Sequence, residues 1–203
     1  MHRLGRVAQA VDPALNGPIR VTAPHLLISE LLMPDLVAFQ KTHPGIELRV
    51  EASYDVADLE RREADVALRA MPPGVRPAEH LTGRLAAVSY KAVYGRGDHW
   101  IGWHGGDADR AWIEATPFPT LPVIGAFDDA VLQRAACAAG LGLTTLPCYF
   151  AEPLLERRSK PTPQFDVWVL VHPDLRQSPR LRKFRDAMVA ALKRHQPRLK
   201  GES

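Results

Sequence analysis

The sequence contains little cysteine and no long apolar run. Cys137 and Cys148 are its only cysteines among 203 residues. They are too few for a disulfide framework and lack the C-x-x-C spacing of a redox pair, so we interpret both as packing residues. No stretch approaches the roughly 18 uninterrupted apolar residues of a membrane helix, and residues 1–16 have no apolar run of signal-peptide length. These absences predict a cytoplasmic protein that has no membrane partner.

Signatures of catalysis and metal binding are also absent from the sequence. It has no G-x-S-x-G, H-E-x-x-H, Walker or G-x-G-x-x-G motif, and its eight histidines include no pair at i, i+4. Carboxylates cluster only in "DLERREAD" and "DADRAWIE", which we interpret as exposed helix faces. We therefore expect no catalytic residue, no metal and no cofactor, unless folding assembles a site from distant positions.

The positive charge is modest and scattered. The formal net charge is +3 and the estimated pI about 9.0, which by itself would suit an acidic partner such as nucleic acid. The densest basic run, "RLRKFRDAMVAALKRHQPRLK", spaces Leu181, Phe184, Met188 and Leu192 as one helical stripe. The basic residues therefore fall on the solvated faces of an amphipathic helix, a pattern that does not favour direct DNA contact.

Hydrophobic periodicity predicts two α/β halves. The pattern of the first half predicts the order strand, helix, strand, helix, strand, strand. The first strand covers Ile19–Ala23. The helix after it is bent at Pro34 and ends at "KTHPG". This order favours a parallel sheet covered by helices. After "GRGDHW" the pattern restarts, and Asp128, Asp129 and Gly140 provide the capping signals of a further helix. Two such halves in about 200 residues suggest a two-lobed protein with a cleft.

Polar and aromatic side chains follow the predicted strands. Ligands of open α/β sheets bind beyond the carboxyl ends of the strands, near helix amino termini, so we expect these side chains to surround a small anionic or polar ligand. The candidate residues are Thr22, Pro24, His25, Ser53, Tyr54, Arg69, Trp103, His104, Phe127 and Asp128.

Each candidate also has a structural interpretation. Thr22 and Ser53 would satisfy backbone groups at turns, and His25 would be an exposed residue at a helix start. Arg69 would pair with a glutamate, Glu51 or Glu63. In the second half, the structural interpretation is that Asp128 caps a helix and that the rings of Trp103 and Phe127 belong to a hydrophobic core.

Three segments in order resemble the effector-binding domain of LysR-type transcriptional regulators. They are "GPIRVTAP…LLMPDLVAFQKTHPGIELRV", "DLERREADVALR" and "AACAAGLGLTTLP", and the resemblance covers about residues 17 to 192. It implies a type II periplasmic-binding-protein-like α/β fold, in which two Rossmann-like lobes are joined by two crossover strands.

The resemblance also implies a division of the chain. Lobe I would comprise residues 17–92 and 168–195, lobe II residues 93–167, and residues 196–203 a tail. Residues 1–16 would be the remnant of a linker helix, because the winged helix-turn-helix of the family does not fit ahead of Gly17. The chain would then be a fragment whose promoter DNA contacts belong to that missing domain.

By this resemblance the chain is a cytoplasmic, non-enzymatic regulator domain. It would bind a small-molecule effector, anionic or aromatic, in the interlobe cleft and form a homodimer or homotetramer, with the helix near His25 at the dimer contact. "GDHWIGWHGGDADRAWIEAT" departs from the family pattern, which weakens the transfer of Trp103 and His104. Two alternatives stay open: a free-standing solute-binding protein of the same fold, and a small α/β enzyme.

Overall fold

The computed structural model describes residues 15–54, 59 and 63–202, and the described chain forms two compact units. The first unit combines the described residues up to Arg69 with Pro77–Arg84 and Trp168–Ala191; the second combines Ala70–Arg76, Leu85–Val167 and the described residues from Leu192 onwards. The predicted linker remnant falls almost wholly within residues 1–14, outside the described residues.

The strands of the first unit follow the order β2-β1-β3-β8. They are β1 (Gly17–Ala23), β2 (Ile46–Ala52), β3 (Val66–Met71) and β8 (Thr162–Val171). β1 runs parallel to both of its neighbours, with Ala23 opposite Ala52 and Thr22 opposite Ala67. The parallel sheet that the helix and strand order predicted is therefore present, and the carboxyl ends of β1, β2 and β3 lie along one edge.

A helical segment follows β1 in three parts: α1 (His25–Leu27), a π-helical turn (Ile28–Leu32) and α2 (Met33–Thr42). Pro34 has no N–H to donate to the carbonyl of Glu30, so the helix interrupts its regular hydrogen bonding at this place. The predicted disturbance at Pro34 is confirmed, and it takes the form of a widened turn ahead of the proline. Buried Phe39 packs edge to face on Phe184, with ring centroids 5.1 Å apart.

The strands of the second unit follow the order β4-β7-β5-β6. They are β4 (Thr82–Gly95), β5 (Trp100–Gly102), β6 (Val123–Ala126) and β7 (Leu143–Pro147), with helices α3 (Asp107–Ile113), α4 (Ala130–Ala138) and α5 (Cys148–Ala151). β5 is parallel to β6 and β7, and β4 is antiparallel to β7. Trp100, fully buried, anchors this core against Trp112 at 5.2 Å between ring centroids.

Two long strands, β4 and β8, pass from one unit into the other, as predicted for the crossover strands. The last helices are α6 (Pro179–Arg194) and α7 (Gln196–Lys200), with a 3-10 turn (Pro173–Leu175) before them. The predicted stripe of α6 is buried along its whole length. The Ser178 hydroxyl, directly before this helix, is buried and has no hydrogen-bond partner among the described residues, so it does not cap the helix.

The compact units divide the chain differently from the predicted lobe boundaries. Residues 85–92 and 192–195, assigned to lobe I from the resemblance, belong to the second unit. The predicted tail contains α7, whose Leu199 is buried and whose Gln196 amide donates to the Val88 carbonyl at 2.8 Å. A short segment with a proline in its first turn can form a helix when tertiary packing covers one face of it, and its pattern alone does not predict that.

Cys137 and Cys148 are buried free thiols of the second unit, as the interpretation as packing residues requires. Burial raises the pKa of the Cys137 thiol to about 11. Burial likewise raises the pKa of Cys148, which contacts Tyr94. Both thiols are therefore protonated and poorly reactive at neutral pH.

Candidate functional site

Thr22 and Arg69 meet at the carboxyl edge of the first unit's sheet. Thr22 and Ala67 are register partners on β1 and β3, so the Arg69 side chain, two residues along β3, lies on the same face as Thr22. The guanidinium is 2% exposed and donates from Nη2 to Thr22 Oγ1 at 2.6 Å and from Nη1 to the Leu68 carbonyl at 2.8 Å. A cation held at a strand end by a threonine hydroxyl is a group suited to orienting an anion.

Pro24 directs the chain from β1 into α1. Its φ of −54° and ψ of 131° are extended, and its carbonyl accepts from Leu27 N at 3.0 Å and Ile28 N at 3.2 Å. Among residues 15–54, 59 and 63–202, no side chain caps this helix start. Pro24 therefore ends the strand, and the helix begins immediately afterwards at His25.

His25 lies beside Tyr54 at the same edge. Tyr54 Oη is 3.2 Å from His25 Nδ1, and the two rings are nearly perpendicular with centroids 6.5 Å apart. Tyr54 is 67% exposed, whereas His25 is half-buried. Ser53 continues the β1 and β2 pairing, since its N–H donates to the Ala23 carbonyl at 3.0 Å. The predicted residues of the first unit thus form two contacting pairs on neighbouring strand ends.

A shallow charged pocket of about 440 Å³ lies next to this edge and includes Thr22. It contains Arg20 and Arg49 together with Glu51 and Glu63. Arg20 Nη2 lies 2.9 Å from Asp65 Oδ1, and the hydrogen bonds that the guanidinium donates to that carboxylate raise the pKa of Arg20. Asp65 is itself buried, so part of the acidic "DLERREAD" run is not the exposed face that the sequence suggested.

In the second unit, the backbone of Trp103 and His104 is bound to Asp109. The Asp109 carboxylate accepts from Trp103 N at 2.9 Å, His104 N at 3.2 Å and Gly105 N at 2.6 Å. It also accepts from the indole N–H of Trp112 at 3.0 Å. These amide groups therefore already have an anionic partner that belongs to the chain.

The interpretation of "DADRAWIE" as an ordinary exposed face is wrong for Asp109, which is 0% exposed. Burial alone raises the pKa of this carboxyl, but the hydrogen bonds from Trp112, Trp103, Gly105 and His104 outweigh it and lower the pKa below its usual value. Gly102 permits the approach, because a Cβ at that position would overlap Asp109 Oδ2.

Gln133 organises the other strand end of this unit, and sequence reasoning missed it. The fully buried amide donates to the carbonyls of Gly102 at 2.5 Å and Phe127 at 2.8 Å, while Thr144 Oγ1 donates to its oxygen. The sequence does show a glutamine among the apolar positions of α4, which indicates a buried polar side chain. That position alone does not predict the hydrogen-bond partners of the glutamine. The Phe127 N–H donates to Gly102 O at 2.9 Å.

Asp128 is exposed, and the helix cap that was proposed for it belongs to its neighbour. Asp129 Oδ1 accepts from Val131 N at 2.8 Å and Leu132 N at 3.1 Å, so Asp129 is the N-cap of α4. The alternative that made Asp128 a cap is therefore wrong by one residue. Trp103 and Phe127 are half-buried and His104 is exposed.

Within the described residues, no three His, Cys, Asp or Glu side chains are grouped so that they could hold a metal ion. In the same part of the chain, no helix has the length and apolar character needed to span a membrane.

Comparison with known proteins identifies a matching family. The family model described as LysR substrate binding domain matches residues 13–193. A curated relative, the HTH-type transcriptional activator AmpR of Rhodobacter capsulatus, is 30% identical over 138 residues, which is 57% of this chain and 44% of the relative. The chain therefore spans less than half the length of that protein.

Solved structures show the same fold. The regulatory domain of CrgA, a LysR-type transcriptional regulator from Neisseria meningitidis, superposes with a TM-score of 0.67 at 20% identity, covering 87% of this chain and 99% of that one. The effector domain of the transcriptional regulator AmpR of Pseudomonas aeruginosa gives 0.66 at 18% identity, covering 88% and 98%.

Proposed function

The chain belongs to the family of LysR substrate binding domains, and from that premise we propose that it binds a small anionic or aromatic effector and thereby regulates transcription. The family is one of regulator domains and not of enzymes. The observation that carries the ligand proposal is the contact between buried Arg69 and Thr22 at the carboxyl ends of β3 and β1. A guanidinium in that place favours a carboxylate or a similar anion.

The exposed ring of Tyr54 and its neighbour His25 supply an adaptable contact beside that pair. We propose that Pro24 and Ser53 shape the backbone of the same site. For Trp103, His104, Phe127 and Asp128 we propose contact through side chains, because Asp109 already binds the backbone amides of Trp103 and His104. We therefore expect the residues of the first unit to favour an anionic group, whereas the rings of Trp103 and Phe127 would favour an apolar one.

A thermal-shift screen of small acids, aromatic compounds and amino acids tests this proposal. A ligand that binds only the folded state raises the melting temperature with concentration. For an anionic hit, Arg69→Gln should remove most of the shift, and the exposed control Arg182→Gln should leave it unchanged. A shift that survives Arg69→Gln contradicts the anion argument. If that variant does not fold, His25→Ala and Tyr54→Phe test the same edge at more accessible positions.

Regulation requires that the effector bind one arrangement of the protein better than another. A coupling free energy of about 1–3 kcal/mol is typical of such linkage. We propose that promoter DNA is bound by a winged helix-turn-helix outside this chain. Promoter binding by the full regulator, measured with and without the thermal-shift hit, should change about 5-fold to 150-fold. Equal affinity in both conditions would contradict the regulatory role.

We also propose that the domain forms a homodimer or homotetramer through the helix that begins near His25. Met33 and Val37 on α2 are 44% and 45% exposed, and Val50 on the neighbouring edge strand β2 is 40% exposed. Exposed apolar side chains on adjacent elements are typical of an interaction surface. Light scattering should show a species larger than the 22.5 kDa monomer, and a strict monomer at high concentration would contradict this.

A further inference from the structure

We propose that the second unit contains a separate binding pocket for an organic carboxylate, on the face of β4 and β7 beside the end of α3. The pocket has a volume of about 530 Å³, which is within the range of small-molecule sites. None of the ten residues proposed for the effector lines it. Trp103 and His104 precede α3, whereas this pocket lies at the opposite end of that helix, around Trp112 and Thr116.

Three adjacent backbone segments form the floor of the pocket. Val93 on β4 is the register partner of Thr145 on β7. On its other side, the Val93 N–H donates to Ser159 Oγ at 3.0 Å, and its carbonyl accepts from Arg158 N at 2.7 Å. Val93 is buried in the core cluster with Trp100. The floor is therefore held by ladder and side-chain hydrogen bonds and does not depend on a ligand for its shape.

The apolar wall is equally well fixed. Trp112 lies edge to face against buried Trp100, and its indole N–H donates to Asp109. Because that N–H is already engaged, the ring presents an apolar surface to the pocket, next to Ala115 and Pro117. A planar or branched hydrocarbon group is the chemistry that packs on such a wall.

Lys91 and Lys160 both line the pocket, and no aspartate or glutamate does. Within the part of the chain that the structure describes, neither lysine ammonium group has a hydrogen bond or an ion pair, and the Ser159 hydroxyl donates only to the Lys160 carbonyl. Two like charges bordering one concave site raise its positive potential, and an anion bound there is attracted by both. This charge pattern selects an anionic occupant over a neutral or cationic one.

Thr145 adds a polar group without a partner. It lines the pocket, and its hydroxyl oxygen is buried with no hydrogen-bond partner among the described residues. Rotation of this side chain about χ1 would turn the hydroxyl towards an oxygen of the occupant and recover the free energy that its burial without a partner costs. Cationic, hydroxylic and apolar groups together fit a carboxylate carried on a hydrocarbon body.

Phenylacetate is a suitable probe, since it joins a carboxylate to a ring, and isothermal titration calorimetry measures its affinity. Phenylacetamide, which lacks the charge, should bind at least about tenfold more weakly, and inorganic phosphate, which lacks the ring, at least about threefold more weakly. The double variant Lys91→Met, Lys160→Met should lose at least about tenfold in affinity. Lys193→Met, an exposed lysine of the same unit outside the pocket, should stay within about twofold.

Amide NMR shifts on titration locate the site. The expected shifts fall on the amides of residues 91–93, 115, 116, 159, 160 and 162. Absence of saturable binding up to about 10 mM, unchanged affinity in the double variant, or shifts confined to Thr22, Arg69 and Tyr54 would each overturn the proposal. The last outcome would assign phenylacetate to the proposed effector residues instead. The pocket proposal does not depend on the regulatory function, so either one can fail without the other.

Discussion

The strand ends of the two units satisfy their polar groups in opposite ways. In the first unit a buried cation, Arg69, is held by the Thr22 hydroxyl, and the start of α1 has no side-chain cap. In the second unit a buried anion, Asp109, accepts three backbone N–H groups and an indole N–H. The comparison shows that the strand ends of two similar α/β units can differ as ligand sites. In the second unit the backbone N–H groups already bind the Asp109 carboxylate, whereas in the first unit Arg69 is suited to an anionic ligand.

The largest expected effect comes from removing that internal anion. In Asp109→Asn, an NH₂ group would face backbone N–H donors that now share two carboxylate oxygens. We expect a loss of about 3 kcal/mol in the free energy of unfolding, measured by urea denaturation. Asp107→Asn, on the exposed face of the same helix, is the matched control and should cost less than about 0.5 kcal/mol. Equal losses in the two variants would mean that Asp109 does not organise the edge.

Gly102→Ala tests the same edge from the strand side. The added Cβ would overlap Asp109 Oδ2 and lie 3.1 Å from Val123 Cγ1, so the carboxylate must move from its donors. A destabilisation of about 2 kcal/mol is expected in the same denaturation experiment. Gly125→Ala on β6 is the control, because its Cβ would meet only Phe127 Cε2 at 3.8 Å. A variant at Gly102 as stable as this control would show that the close approach is not required.

One substitution made at two threonines should have opposite signs in the two units. Thr22→Val removes the acceptor of a buried guanidinium hydrogen bond and should cost about 1.5 kcal/mol. Thr145→Val removes a buried hydroxyl that has no partner, and should be neutral or stabilising by up to about 1 kcal/mol. Thermal unfolding of both variants measures the difference, and a loss of similar size at both positions would contradict it.

The smallest expected effect is a change in pH dependence. The folded-state pKa of Asp109 lies below the ordinary value for an aspartate, so its carboxylate contributes stability that is fully present above the unfolded-state pKa. That contribution is lost as the pH falls through the folded-state pKa. The free energy of unfolding should therefore decrease less steeply below about pH 4 in Asp109→Asn than in the wild type. Parallel curves for the two proteins would assign the acid sensitivity to other carboxyl groups.

Much of the fold followed from periodicity and capping signals. The apolar stripe of α6, the strand over Ile19–Ala23 and the disturbed helix at Pro34 are local patterns, and each formed the predicted element because local propensity and burial agree there. α7 did not follow from the sequence, because this five-residue helix is stabilised by the tertiary contacts of Leu199 and Gln196.

The candidate site was predictable in part. Thr22 and Arg69 were expected at strand ends, but their hydrogen bond depends on the register of β1 and β3. Asp109 and Gln133 were missed because an acidic residue on a short helix and a glutamine in an apolar stripe are ordinary in sequence. Both side chains are buried by segments that are separate from their own helices: residues 103–105 for Asp109, and Gly102 and Thr144 for Gln133.

The sequence by itself determined the α/β order, the family resemblance and the strand-end positions, because these depend on residue types at short spacings. Only the tertiary structure decided which strand end is already satisfied by its own carboxylate and which has an arginine. Long-range register and burial bring together groups that are distant along the chain, such as Thr22 with Arg69 and Thr144 with Gln133. A buried polar group is stable only when such partners are present.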